Sequence, residues 1–398
     1  MRAPPLTGIK VLDLSSIIAA PVTATMLGDF GAEVVKVEQP GVGDFMRRSA
    51  PTPGGRSLGW VQDARNKTSI TLDLHKAEAR AIVHRLLPYF DVVVTNFRPP
   101  TLAKWSLDPD TLRAAFPRLI ILYITGYGLT GPYSDRGAFD RIASAFSGLT
   151  YVSGDADRPP VRTGFALIDY MTAYMGAFSV VTALYDRDHR GGSGQFIDLA
   201  LFEPGFRASE DALMRYAATG DVRERTGNVN LNVVPAANFL TRDGREICLH
   251  AGTDPLLRRL FALMGEPALI DDTRFATHHA RVEHQGALYG VIGAWTSAAD
   301  LATLMSLLVA AGIPASPVMN IADIAEDPHY RARGTVIAVQ DPDWGDLLMA
   351  GPLPRMSETP GCVRSLGPAL GNGNDAIYGE LLGMDEAERA ALREAGVI

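Results

Sequence analysis

Short β-branched runs alternate with longer stretches whose apolar residues recur every three to four positions, and this alternation fills the first half of the chain. Residues 9–14, 33–38, 91–95 and 119–124 read as strands, and 21–30 and 76–89 as helices packed on them. Such a βαβ rhythm predicts an α/β fold built on a mostly parallel sheet covered on both faces. Asp108 and Pro109 place a capping side chain before a proline at the first helical position, and Pro117 stops that helix. The longest apolar helix is expected over 169–187, broken by Gly191-Gly192-Ser193-Gly194 before a strand at 195–201. Its apolar stretch, 171–185, falls short of the roughly 20 residues of a membrane-spanning helix and reads as a buried helix.

The pattern changes near 221–232, which is polar and rich in arginine. Beyond it come a strand at 246–250, helices near 254–264, 281–296 and 299–310, strand-like residues 335–340 and a last helix from Asp385. A chain of 398 residues exceeds what one core usually organises. The expected division is a large domain at 1–205, a linker at 206–230, a smaller α+β domain at 231–320, and a tail at 321–398 that returns to the large domain.

Composition narrows the function classes. A net charge of −8 has the wrong sign for general nucleic-acid binding. Cys248 and Cys362 show neither metal-ligand spacing nor a disulfide framework, which fits a reducing cytoplasm, and the N-terminus has no long apolar segment of the signal-peptide kind. No nucleic-acid, membrane or metal partner is expected. Gly55-Arg56-Ser57-Leu58-Gly59 matches the G-x-S-x-G elbow of serine hydrolases, but Pro-Thr-Pro-Gly precedes it and no apolar helix is expected after it, so a loop is the better reading. His278 and His279 are expected on the surface. Without G-x-G-x-x-G or a phosphate-binding P-loop, the alternating pattern supports no claim of NAD or ATP. Asp169, a lone carboxylate at the head of the apolar helix, reads either as an N-cap or as a nucleophile kept anionic by the helix end.

The segment GIKVLDLSSIIAAPVTATMLGDFGAEVVKVEQPGVGDFMRR, with NKTSITLDL, DVVVTNFRP, YGLTGPYSDRGAFD, RTGFALIDY, GSGQFIDLALFE and the C-terminal ELLGMDEAERAALREAGVI, strongly resembles the class III CoA-transferases of the formyl-CoA and carnitine-CoA type. The resemblance spans the whole chain. It implies a Rossmann-like large domain made from both chain ends, a smaller middle domain, and a homodimer of interlocked subunits. It also implies Asp169 as nucleophile, with CoA contacts from Ile18, Ala19, Gln39, Leu72 through His75, Asn96, Phe97, Arg98, Lys104, and Gly137, Ala138, Phe139 and Asp140. Gln39 and His75 stand where relatives carry arginine and lysine. The tetraglycine loop of formyl-CoA transferases is reduced to Gly252, which argues against an oxalate enzyme.

The implied reaction moves coenzyme A from an acyl-CoA to a carboxylic acid through an aspartyl mixed anhydride and an aspartyl-CoA thioester. It calls for no cofactor beyond coenzyme A itself. Arg162 and Asn228 are candidates to meet the second carboxylate of a dicarboxylate acceptor. A racemase of the same superfamily, which needs two bases, is disfavoured because Phe139 stands at the histidine position of that group and cannot accept a proton. A CoA-binding protein without turnover is the third reading.

Overall fold

The computed structural model describes residues 2–230 and 232–398. Six strands, β1 (Lys10–Asp13), β2 (Glu33–Glu38), β3 (Lys67–Thr71), β4 (Val92–Thr95), β5 (Ile120–Thr125) and β6 (Phe196–Ala200), form one sheet in the order β3-β2-β1-β4-β5-β6. Every pairing in it is parallel. β4 and β5 are buried along their whole length, as expected for parallel strands covered on both faces.

Seven helices accompany them: α1 (Ala19–Asp29), α2 (Leu58–Asp63), α3 (Ala77–Leu86), α4 (Pro99–Trp105), α5 (Pro109–Ala115), α6 (Asp140–Phe146) and α7 (Leu167–His189). Successive strand residues feed opposite cores. Leu12, Val93, Ile121 and Tyr123 pack with Ile82 and Val83 of α3. Val11, Val92, Val94 and Leu122 pack with Ala24 and Leu27 of α1 and Val180 of α7. Each such valine, leucine or isoleucine contributes roughly 1.5–3 kcal/mol by leaving water.

Strand β3 departs from the apolar template. Its sequence KTSIT buries Lys67 and Ser69, whose polar atoms are satisfied by Asp13 and Glu38. The Gly55–Gly59 segment also differs from expectation, because a helix does follow it. Ser57 is the N-cap of α2, its Oγ accepting from the N–H of Trp60, and it is buried; this is a capping serine, not an exposed nucleophile.

Helix α7 runs 23 residues, longer than its sequence pattern suggested, and is apolar enough by length and composition to cross a membrane, with 44% of its most apolar window buried. Its inner face lies against α1. A Cβ on Gly176 would stand 2.8 Å from Thr23 Oγ1, so glycine is what permits that approach. Its other face, with Tyr174, Phe178, Val181 and Tyr185, is exposed, so the helix expected to be buried is buried on one face.

The chain forms two compact units, Met1–Thr150 with Arg162–Ala217 and His329–Ile398, and Tyr151–Val161 with Ala218–Pro328. Of the expected linker, 206–217 therefore belong to the first unit and 218–230 to the second; 151–161, expected in the large domain, and 321–328, expected in the returning tail, also belong to the second. In the first unit the tail supplies the hairpin β10 (Val336–Asp341) and β11 (Gly345–Ala350), and its end packs home: the N–H of Asp73 donates to Val397 O at 2.8 Å, and Val397 and Ile398 are buried. The second unit has an antiparallel sheet of β7 (Ala236–Leu240), β8 (Glu246–His250) and β9 (Ala315–Pro317). Helices including Asp254–Leu263, Gln285–Thr296 and Leu301–Ala310 cover its core of Leu249, Phe261, Leu288 and Leu304. The single helix expected over 281–296 is two, His278–Glu283 and Gln285–Thr296. His278 and His279 are exposed.

Candidate active site

Because the chain runs outward from β1 to β3 and then returns to place β4 on the other side of β1, the carboxyl ends of β1 and β4 open a crevice of the kind in which α/β sheets bind ligands. The loop leaving β1 is held there by side chains at each step. The Asp13 carboxylate accepts from the N–H and hydroxyl of Ser15. Lys36 donates to Ser15 O and sits 3.3 Å from Asp44, while Lys67 donates to Asp13 at 2.9 Å and to Pro21 O at 2.7 Å. All four charged side chains are buried. Burial pushes the Asp13 carboxyl up, but the charges of Lys36 and Lys67 outweigh it and hold it below its ordinary value.

Asn96, just beyond β4, then clamps Ser16 on both sides, its Oδ1 accepting from Ser16 N–H at 3.0 Å and its Nδ2 donating to Ser16 O at 2.7 Å. Ile17 follows with φ +74°, a left-handed conformation uncommon for a β-branched residue. Its N–H donates to Asp44 at 3.3 Å. Two residues on, α1 begins at Ala19.

The third wall comes from β5. A Cβ on Gly126 would lie 2.7 Å from Ala138 Cβ, so glycine lets residues 137–139 close down on the strand end. Phe139 is the N-cap residue of α6 and is exposed. Asp140 Oδ2 accepts from the N–H of Ile168 at 2.8 Å and of Asp169 at 3.4 Å. Asp140, not Asp169, thus supplies the cap of α7, whose own N-cap residue, Ala166, has no side chain to do so. Asp169 is the third helical residue and is 8% exposed. Burial first, and then the negative charge of Asp140, push its carboxyl up to about 7, which corrects the idea that the helix end simply keeps it anionic.

These walls enclose a cavity of about 380 Å³. Of the residues named from sequence, Ile18, Ala19, Asn96, Arg98, Gly137, Ala138, Phe139 and Asp169 line it, and Asp140 acts from the N-terminal end of α7. Gln39, Leu72, His75, Phe97 and Lys104 do not. Leu72 is a core side chain, 1% exposed, so only its backbone remains for a ligand. Gln39, His75 and Phe97 follow the carboxyl ends of β2, β3 and β4 outside the cavity: His75 hydrogen-bonds Asp73, next to which the Gln39 side chain lies, and His75 and Phe97 stand edge-on to Trp105 at 5.6 and 4.8 Å between ring centroids. Lys104 is exposed on α4.

Ser16, Ile17, Thr125, Gly126, Arg136 and Leu201 also line the cavity and were missed. Thr125 and Gly126 lie at a strand's carboxyl end, which is the signal that could have found them. The Arg136 guanidinium rests 3.8 Å over the ring of Tyr133, a contact that directs it. Among the described residues no group of three His, Cys, Asp or Glu side chains is arranged to hold a metal ion. The cavity therefore offers one carboxylate that titrates near neutrality, two guanidinium groups and a restrained loop, a set suited to anionic substrates and to nucleophilic attack by the carboxylate.

A family model described as CoA-transferase family III matches residues 6–374. The chain is 42% identical over 395 residues to the succinyl-CoA–D-citramalate CoA-transferase of Chloroflexus aurantiacus, covering 99% of this chain and 98% of that protein. It is 41% identical to the succinyl-CoA–L-malate CoA-transferase beta subunit of the same organism, with 99% and 98% covered. Among solved structures, a CAIB/BAIF family protein from Brucella suis superposes with a TM-score of 0.84 at 35% identity, covering 96% of this chain and 100% of that one.

Proposed function

Because the chain belongs to CoA-transferase family III, we propose that it moves coenzyme A from an acyl-CoA to a carboxylic acid, with Asp169 as the nucleophile. The observation that carries this reading is the position of Asp169, a nearly dry carboxylate in the wall of a cavity at the carboxyl ends of the parallel sheet. As the carboxylate, it attacks the thioester carbonyl and expels CoA thiolate, giving a mixed anhydride. The thiolate then attacks the aspartyl carbonyl, releasing the donor acid and leaving an aspartyl-CoA thioester. The acceptor carboxylate repeats both steps in reverse. Burial serves this sequence, since water would hydrolyse either intermediate.

Dicarboxylates are the proposed acids. The names of the relatives support this, pairing succinyl-CoA with citramalate, malate and glutarate. Arg98 and Arg136 are the cations that line the cavity, available to a substrate carboxylate or to the phosphates of CoA. Arg162 remains a candidate for a second carboxylate; it is exposed, with its guanidinium donating to Thr163 O. Gln39, His75 and Phe97 outside the cavity, with the exposed Lys104 on α4, are assigned to the remainder of CoA. Phe139 in the cavity wall weighs against the racemase reading, since it offers no second base. The working protein is proposed as an interlocked homodimer, and the two exposed, unpaired cysteines are consistent with a cytoplasmic setting.

Incubation with a donor thioester and no acceptor tests the mechanism. Intact mass should rise by one CoA, and hydroxylamine should convert the adduct to a hydroxamate that peptide mapping locates at Asp169. Asp169→Asn should bind CoA and form no adduct. Substantial transfer by that variant, with deamidation excluded by mass, would overturn the assignment.

A further inference from the structure

Four buried side-chain polar atoms among the described residues lack a hydrogen-bond partner: Thr125 Oγ1, Ser144 Oγ, Gln285 Nε2 and Arg389 Nε. Only Thr125 of these residues lines the cavity that holds Asp169. A buried hydroxyl without a partner is destabilising, so natural proteins keep few of them. Thr125 is 6% exposed, and its hydroxyl is buried in a residue that lines the cavity.

Neighbouring contacts bring Thr125 to the same side of the fold as the nucleophile. Its carbonyl accepts from Leu201 N–H at 2.8 Å, and Leu201 O accepts from Thr172 Oγ1 at 3.3 Å. Thr172 is three residues beyond Asp169 on α7, hence on the same helix face. Leu201 lines the cavity between them.

We propose that Thr125 is a further catalytic residue of the acyl-transfer site, its hydroxyl donating a hydrogen bond to the carbonyl oxygen of the aspartyl group as that oxygen becomes negative during attack on Asp169. The inference rests on the assignment of Asp169 as nucleophile. No bond to Thr125 is made or broken. The hydroxyl keeps its proton and meets an acceptor that the resting site does not give it, which is the condition under which a preorganised donor favours the transition state over the ground state.

Thr125→Val and Thr125→Ser test it. Valine keeps the branched shape and removes the hydroxyl; serine keeps the hydroxyl. In single-turnover reaction of acyl-CoA with enzyme, Thr125→Val should form the aspartyl-CoA adduct about 10- to 1000-fold more slowly than the wild-type chain. KM for acyl-CoA and Kd for free CoA should stay within about twofold, and Tm should not fall, because an unsatisfied polar group has been removed. Thr125→Ser should recover most of the rate. Adduct formation by Thr125→Val at the wild-type rate would overturn the role of Thr125 and leave that of Asp169 standing. So would a slow Thr125→Val that is destabilised, with no recovery in serine, since that pattern belongs to a packing residue. Failure of the wild-type chain to form any adduct at Asp169 would overturn both assignments.

Discussion

Asp140 and Asp169 meet at one helix end: Asp140 Oδ2 takes the N–H groups of Ile168 and Asp169 at 2.8 and 3.4 Å. The favourable field of the first turn of α7 thus falls on Asp140, and Asp140 in turn repels negative charge on Asp169.

A pH dependence of activity follows from that pairing. Attack requires the Asp169 carboxylate, and a carboxyl pushed up to about 7 is half protonated at neutral pH. The rate of adduct formation should therefore climb between about pH 6 and pH 8 and then level. Asp140→Asn keeps an oxygen to accept from Ile168 N–H and loses the charge, so the rising limb should move down by about one pH unit. Arg98 and Arg136, the charged groups lining the same cavity, are unchanged by that substitution. A limb that lies below about pH 5 in the wild-type chain, or that Asp140→Asn leaves in place, would contradict the pairing.

The same group links stability to pH with a definite sign. Its ordinary value is 3.8 and its folded value is about 7, so the native state binds the proton more tightly than the unfolded chain. Stability from this group is fully present below about pH 4 and is lost as pH rises through about 7, by at most about 4 kcal/mol. Asp169→Asn cannot lose it. Urea denaturation at pH 8 should find the variant more stable by roughly 1–4 kcal/mol, with the difference shrinking towards pH 5. A variant less stable than wild type at pH 8 would mean that the charged carboxylate is a structural asset.

How far these features were legible depended on whether the side chain advertised its partner. The runs VVVT and IILYIT announce buried parallel strands because both faces are apolar. KTSIT does not, because Lys67 and Ser69 are buried by virtue of Asp13 and Glu38, which lie far from them in sequence. Asp169 could be located from the motif RTGFALIDY, but its protonation could not, since that depends on Asp140, 29 residues earlier. Leu72 lay within a matching motif and proved to be core, because a motif marks a position and not the direction of its side chain. Thr125 carried no signal beyond its place at the end of β5.

The last expectation concerns assembly, and it starts from apolar surface that a lone chain leaves uncovered. The outward side of α7 exposes Tyr174, Phe178, Val181 and Tyr185, with Phe178 67% exposed. Beside it Leu6, Met26, Phe30, Pro354 and Met356 help to line an apolar cavity of about 780 Å³ in the same compact unit. Contiguous apolar surface on this scale usually marks an interaction site. The proposed homodimer would cover it. Light scattering should give twice the chain mass at low micromolar concentration, and Phe178→Glu should shift the protein to monomer or to aggregate. Interlocking makes a stronger demand, because linked rings cannot part without partial unfolding. Dilution to nanomolar concentration over hours should leave the dimer intact, and mixed isotope-labelled and unlabelled dimers should exchange subunits only under conditions that begin to unfold them. Subunit exchange within minutes in native buffer would leave a dimer without the link, and a wild-type monomer would remove both.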